Sequence, residues 1–301
     1  AQDAIAKTVG ESVGSGIAYT GVKTSLDVKM NAGDVVLAEG TDYTVTYKNN
    51  VNASVDAQVI VKFAGEYKKL GTVTQAFKIV PANIEEEPFA ATDLIFTDKQ
   101  KGKVVAKPVV YYGGKKLKFG KDYNLMIQNE SGMFDAYNGK DKLSNNAVIK
   151  IVGTNNYTGE KLISVKFLAA DDSRISLDKA SVKGVKAQMA TGSAIVLDMS
   201  QITVKAGGKT LVYDKDYTVS YQNNVNVGTA TMIITAKEGS EFVGSKLVTF
   251  KINGTKLAKA VVKLEADGRE IGTKKGMEVT EKIKSFLEAN GKRISFSCFY
   301  F

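Results

Sequence analysis

The chain of 301 residues contains no histidine and no tryptophan, one cysteine and three prolines. Each shortage excludes something. Without histidine the commonest general base and metal ligand are missing, which removes Ser-His-Asp and Cys-His catalysis and most zinc sites. Carboxylate pairs remain possible for acid–base chemistry, but an enzyme is not expected, and no cofactor or metal is implied. The lone thiol, Cys298, cannot form an internal disulfide. An extracellular protein of this kind must therefore be held by hydrophobic packing. Sugar-binding platforms lean on aromatic faces, and here only Tyr and Phe can supply them. No run approaches the roughly 18 apolar residues of a spanning helix, and no secretion signal is visible, so no membrane span is expected. The start at Ala1-Gln2-Asp3-Ala4 suits cleavage after a small-residue signal site, or a cloned fragment.

What is present is repetition. An acidic-aromatic strand signal runs into a polar turn three times: Asp42-Tyr43-Thr44-Val45-Thr46-Tyr47 before Asn49-Asn50, Asp122-Tyr123-Asn124-Leu125-Met126-Ile127 before Gln128-Asn129, and Asp216-Tyr217-Thr218-Val219-Ser220-Tyr221 before Asn223-Asn224. The spacings of 80 and 94 residues are too long for a solenoid unit and suit small domains with their own cores. With 44% hydrophobic and 24% charged residues, two to four such domains are affordable. Within each copy the alternation Tyr217, Val219, Tyr221 against Thr218, Ser220 marks a strand. A β-branched run follows (57–63, 147–152, 229–235), making a hairpin whose asparagines tolerate positive φ. A closing strand comes next (73–79, 162–167, 247–252), and further short strands lie upstream (25–30, 104–112, 195–205). Six or seven short strands per copy predict an all-β fold of antiparallel sandwiches.

The copies are placed at residues 5–80, 88–168 and 172–253. The acidic linker Pro81-Ala82-Asn83-Ile84-Glu85-Glu86-Glu87-Pro88 should be short and stiff, giving a monomeric extended array. In Tyr19-Thr20-Gly21, Gly207-Gly208-Lys209-Thr210-Leu211, residues 218–224 and Phe250-Lys251-Ile252, the pattern resembles the tandem bacterial Ig-like repeats of surface proteins from Gram-positive anaerobes. That resemblance covers about 250 residues. It implies a secreted or cell-surface location and service as a stalk, an adhesin or a spacer for attached enzymes, but it transfers no binding residues. The middle copy departs from the pattern, with Gln128-Asn129-Glu130-Ser131 in place of Asn-Asn-Val-Asn.

Residues 254–301 form a small α+β tail that fits the repeat poorly. A hairpin is expected from Val261–Glu265 and Arg269–Ile271, a helix over 280–289 and a last strand over 293–301. The order resembles a truncated β-grasp domain, while Gly254-Thr255-Lys256-Leu257 also resembles the opening of a fourth Ig-like copy.

Differences between copies direct the search for a site. The middle hairpin carries an insertion at about 131–146, with Phe134, Asp135, Tyr137, Asn138, Asp141, Asn145 and Asn146, which could grip a glycan or a protein. An elaborated turn without a ligand is the plain alternative. The spacing of Asp135, Asn138 and Asp141 does not match a calcium loop. Residues 88–168 hold thirteen Lys against seven Asp and Glu, a net +6. Lys99, Lys101, Lys103, Lys107, Lys115, Lys116, Lys118 and Lys121 crowd one stretch around Tyr111 and Tyr112. Such a face could attract a polyanionic or glycan ligand at a cell wall or host surface. The bland reading is an edge kept from aggregating by lysine. Lysine without arginine argues against specific DNA. The candidate ligand residues are therefore Tyr111, Tyr112, Lys115, Lys116, Phe134, Asp135, Tyr137, Asn138 and Asp141. The repeated Tyr residues read as core, and Asp42, Asp122 and Asp216 as turn-formers. The function expected is a non-catalytic stalk or adhesion protein. A glycan- or wall-polymer-binding module acting through the second copy, or the spacer of a larger hydrolase, are the alternatives.

Overall fold

A computed structural model describes residues 16–97, 107–141, 143, 147–254, 261–266 and 269–275. The chain is nearly all β, built from many short sheets, as the alternation predicts. Among the described residues no helix is long and apolar enough to cross a membrane. The chain divides into two compact units, one of Ala1–Lys186, Val196–Asn224 and Thr229–Phe250, the other of Ala187–Ile195, Val225–Gly228 and Lys251–Phe301.

The same pairing forms three times along the chain. Tyr43–Lys48 pairs with Ser54–Phe63, Tyr123–Gln128 with Ile149–Gly153, and Tyr217–Gln222 with Gly228–Ala236, all antiparallel. The turn that launches each first strand is one device repeated. The carboxylate of Asp42 accepts from Ala38 N at 2.7 Å, Asp122 from Lys118 N at 2.9 Å and Asp216 from Val212 N at 2.7 Å. In each case the backbone N–H of the aspartate donates back to the same upstream residue, closing a small ring. The next residue, Tyr43, Tyr123 or Tyr217, is buried. The hydroxyls of Tyr43 and Tyr123 donate to the carbonyls of Val28 and Pro108, each fifteen residues upstream. A phenol buried this way brings roughly 1.5–3 kcal/mol of apolar burial and keeps its polar end satisfied. Asn49 and Asn223, after the hairpin strands, take φ of 53° and 55°, the left-handed conformation expected of them.

The upstream strands are shorter than predicted. Residues 25–30 form no ladder, because side chains take up their backbone groups. Tyr47 Oη accepts from Leu26 N at 2.9 Å and donates to Leu26 O at 3.1 Å, and Asn50 Nδ2 donates to Thr24 O at 2.7 Å. In the third copy Tyr221 Oη accepts from Leu197 N, and the strand begins only at Thr203. Of the predicted 104–112 strand, Val110–Tyr112 is a strand and residues 104–106 lie outside the described residues. The core of each copy lies between its hairpin sheet and these upstream segments, with Val59 and Val61, Ile149 and Ile151, and Met232 and Ile234 inward from the central strands.

Edge strands run parallel to the closing strand: Ile17–Ala18 beside Ile79–Val80, and Leu94–Thr97 beside Val165–Leu168. The linker is not a free spacer. Ala82–Asn83 pairs in parallel with Tyr157–Thr158 of the second copy, and Ile84 is wholly buried. Buried residues of the first two copies form one cluster, running from Tyr19 through Ala82 and Ile84 to Tyr157. Asn52 and Asn156 belong to this joint: Asn156 Nδ2 donates to Asn52 Oδ1, and Asn156 Oδ1 accepts from Ala53 N.

In the second unit, Gln188–Met189 runs parallel to Ile252–Asn253, and Val261–Ala266 pairs antiparallel with Arg269–Lys275, the hairpin expected in the tail. The helix expected over 280–289, the strand over 293–301 and Cys298 lie outside the described residues.

Candidate ligand-binding site

The second copy's basic hairpin is built by a glycine pair. Val110–Tyr112 and Lys115–Lys116 pair antiparallel across Gly113-Gly114, whose φ values of 55° and 74° suit a two-residue turn closed to side chains. The register sets Tyr111 opposite Lys116 and Tyr112 opposite Lys115, so alternation sends the two pairs to opposite faces.

Tyr112 and Lys115 join copies. The Tyr112 ring meets Tyr157 edge-on at 5.7 Å, Tyr157 meets Tyr19 at 5.5 Å, and Lys115 Nζ donates to Tyr19 Oη at 2.8 Å. Burial raises the Tyr112 phenol above its ordinary value, with Glu86 and Glu87 adding to the effect. Burial raises Tyr157 further, helped by Tyr19 beside it. Both phenols stay neutral at physiological pH, which suits a packed joint.

The other pair lines a cleft of about 730 Å³ between the second and third copies. Tyr111, Lys116 and Lys107 enter it from the second copy, and Arg174, Lys179 and Lys246 from the third. Two carboxylates, Asp93 and Asp178, line the same cleft. Its walls are pinned together: Asp93 N donates to Ser245 Oγ at 3.2 Å, and Gly244 lies so close to Ile95 that a Cβ there would collide with Cδ1. Lys107 Nζ sits 4.4 Å from the Phe119 ring centre, a cation–π contact that holds the ammonium at the rim. Lys99, Lys101 and Lys103 of the predicted lysine row lie outside the described residues.

The insertion belongs to a different sheet. Phe134–Tyr137 is an added edge strand, pairing with Tyr123–Gln128 in the register Leu125↔Tyr137 to Gln128↔Phe134. Tyr137 is buried in the core, its hydroxyl donating to Asp141 O at 2.8 Å. Asn138 Nδ2 donates to the Asp141 carboxylate, and Asn138 Oδ1 accepts from the backbone of Lys140 and Asp141. Asp135 accepts from Asn129 Nδ2 at 2.9 Å, and Phe134 carries Lys150 Nζ at 4.2 Å from its ring centre. These polar groups serve their own turn, while Asn145 and Asn146 lie outside the described residues. Among the described residues no three His, Cys, Asp or Glu side chains gather as a metal site.

The nine predicted site residues thus fall into three places: Tyr111 and Lys116 in the cleft, Tyr112 and Lys115 in the joint, and the remaining five on the added strand and its turn. Sequence reasoning missed Arg174, Lys179 and Lys246, which reach the cleft from another copy. Compared with models of known protein families and with curated proteins, the chain matches none.

Proposed function

We propose that the chain is a non-catalytic stalk or adhesion protein, secreted or held at a bacterial surface, built from tandem Ig-like β-sandwich copies like those of Gram-positive anaerobes. The observation that carries this reading is the linker joint. Ala82 N donates to Asn156 O at 3.0 Å, Ile84 N to Thr158 O at 2.9 Å, and Lys161 Nζ to Glu85 O at 3.2 Å, while the Ile84 side chain is fully enclosed. A connection paired strand to strand with Tyr157–Thr158 of the next copy keeps two copies in fixed register, which a stalk requires and a flexible tether does not. Digestion of the native chain with a Glu-specific protease tests it. The Glu85-Glu86-Glu87 bonds should survive until the copies unfold, and Ile84→Ser should make them labile. Cleavage there in the native chain at the rate of the denatured chain would refute the stalk.

The cation-rich cleft favours a second reading on the same scaffold, in which the second copy binds a polyanionic or glycan ligand. Retention of the purified chain on anionic polymer beads at low salt, and its release as salt rises, is the expected behaviour. Equal retention on neutral polymer would count against it.

A further inference from the structure

Resting on that second reading, we infer that the cleft between the second and third copies takes a segment of acidic polysaccharide, whose sugar rings bear sulfate, phosphate or carboxylate groups. Charge is the first argument. Five cations, Lys107, Lys116, Arg174, Lys179 and Lys246, line the space against Asp93 and Asp178. Both acids are already engaged: Asp178 Oδ1 accepts from Lys179 N at 2.7 Å, and Asp93 lies 3.8 Å from Lys166 Nζ. Arg174 is paired with the Asp172 carboxylate, its NH2 at 2.8 Å, so the surplus rests on the four lysines, of which Lys246 is oriented by the carbonyl of Asp178 at 2.6 Å from its Nζ. The Lys116 and Lys179 side chains are exposed, so their ammonium groups meet an incoming anion at the surface. A surplus of positive charge held on two facing walls concentrates a polyanion between them.

The second argument is the apolar part of the lining. Ile95, Val109 and Ile175 line the cleft half-buried, and the half-buried Tyr111 ring stands opposite Lys116 in the strand register. A bare phosphate chain has no use for such a surface, whereas the C–H faces of sugar rings pack against it. The third is size. About 730 Å³ lies within the ~300–1,000 Å³ of small-molecule sites, room for several linked rings. The pinned walls mean that little ordering is needed when the ligand arrives.

Calorimetry on the full chain tests the inference with three probes: a heparin-derived sulfated hexasaccharide, the same hexasaccharide desulfated, and inorganic polyphosphate of matching charge. The sulfated sugar should bind at least tenfold more tightly than the desulfated one, and its affinity should fall as salt is raised. The double variant Lys116→Glu/Lys179→Glu should weaken it by tenfold or more, and Tyr111→Ala should weaken it several-fold. Lys23→Glu/Lys68→Glu, the same charge change on the first copy, should leave it unchanged, with circular dichroism melts confirming that each variant is folded. If the sulfated sugar binds but ignores the cleft variants, the cleft is the wrong place, while the polyanion reading stands. If polyphosphate binds as tightly and Tyr111→Ala changes nothing, the saccharide class is wrong. If none of the three probes binds, the inference and the polyanion reading fall together.

Discussion

Adding one methyl group to the second copy's glycine turn should loosen its seat against the third copy. Gly114 and Gly208 occupy the same place in the turns of their copies, with φ of 74° and 80°, so alanine meets the same backbone penalty at both. That penalty is about 1–2 kcal/mol for an L-residue in the left-handed region. It is partly offset by about 0.4–1 kcal/mol, because alanine also restricts the unfolded chain. The surroundings differ. A Cβ on Gly208 meets nothing within 4 Å, whereas one on Gly114 runs into the Thr229 carbonyl oxygen, a backbone atom that cannot rotate away. Overpacking of this kind costs a further ~1–3 kcal/mol. Gly208→Ala should therefore lose about 1 kcal/mol, and Gly114→Ala about 2–4 kcal/mol. Urea unfolding followed by circular dichroism reads the difference from the shift in midpoint at constant slope. Equal losses would refute the claim that the second copy's turn is seated against the third copy.

Three further outcomes follow from the repeated turn and its tyrosines. Asp122→Ala should cost ~1.5–3 kcal/mol, because it leaves a backbone N–H without its charged acceptor at a buried position, and Asp216→Ala should cost less because that turn is more exposed; urea midpoints of the two variants give the order. Tyr47→Phe, which removes both bonds to Leu26, should destabilise more than Tyr221→Phe, which removes one from Leu197, each loss being about 0.5–1.5 kcal/mol per bond. Burial pushes the Tyr123 phenol up to about 12 from 10.0. Its folded value is raised, so the stability it contributes is fully present below pH 10 and is lost as pH climbs through 12. Urea midpoints at pH 9 and 11 should fall more for the parent than for Tyr123→Phe, and parallel curves would show that this phenol does not titrate with folding.

The hairpins were legible because their determinants are local. Asp42, Asp122 and Asp216 each bind a backbone N–H only four residues away, and the Tyr-x-Val-x-Tyr alternation shows its period within a single strand. The segment 25–30 has the pattern of a strand but forms none, because its partners are the side chains of Tyr47 and Tyr43, 21 and 15 residues farther on, and hydrophobic period says nothing of a phenol that replaces a ladder. Within the insertion, Phe134-Asp135-Ala136-Tyr137 is too short a run to announce an edge strand, so Tyr137 read as an exposed grip although it is buried. Of the cleft, the lysine row and its tyrosines point only to Tyr111, Lys116 and Lys107. Arg174 and Lys246 are bound to Asp172 and Asp178 within their own copy, and these two and Lys179 come to share a cleft with Tyr111 and Lys116 only through packing between copies, which no spacing within one copy encodes.

The parallel edge strands also bear on how the protein answers mechanical load. In the first copy Ile17–Ala18 lies alongside Ile79–Val80, and both run the same way. Tension applied at the two ends of that copy draws the first strand toward its own N-terminus and the last toward its C-terminus, so the two slide past each other. The bonds between them then bear the load together in shear instead of opening one after another like a zip. Leu94–Thr97 and Val165–Leu168 repeat the arrangement in the second copy. Because Ala82–Asn83 is fastened to Tyr157–Thr158, tension leaving the first copy reaches the second through hydrogen bonds as well as through the chain.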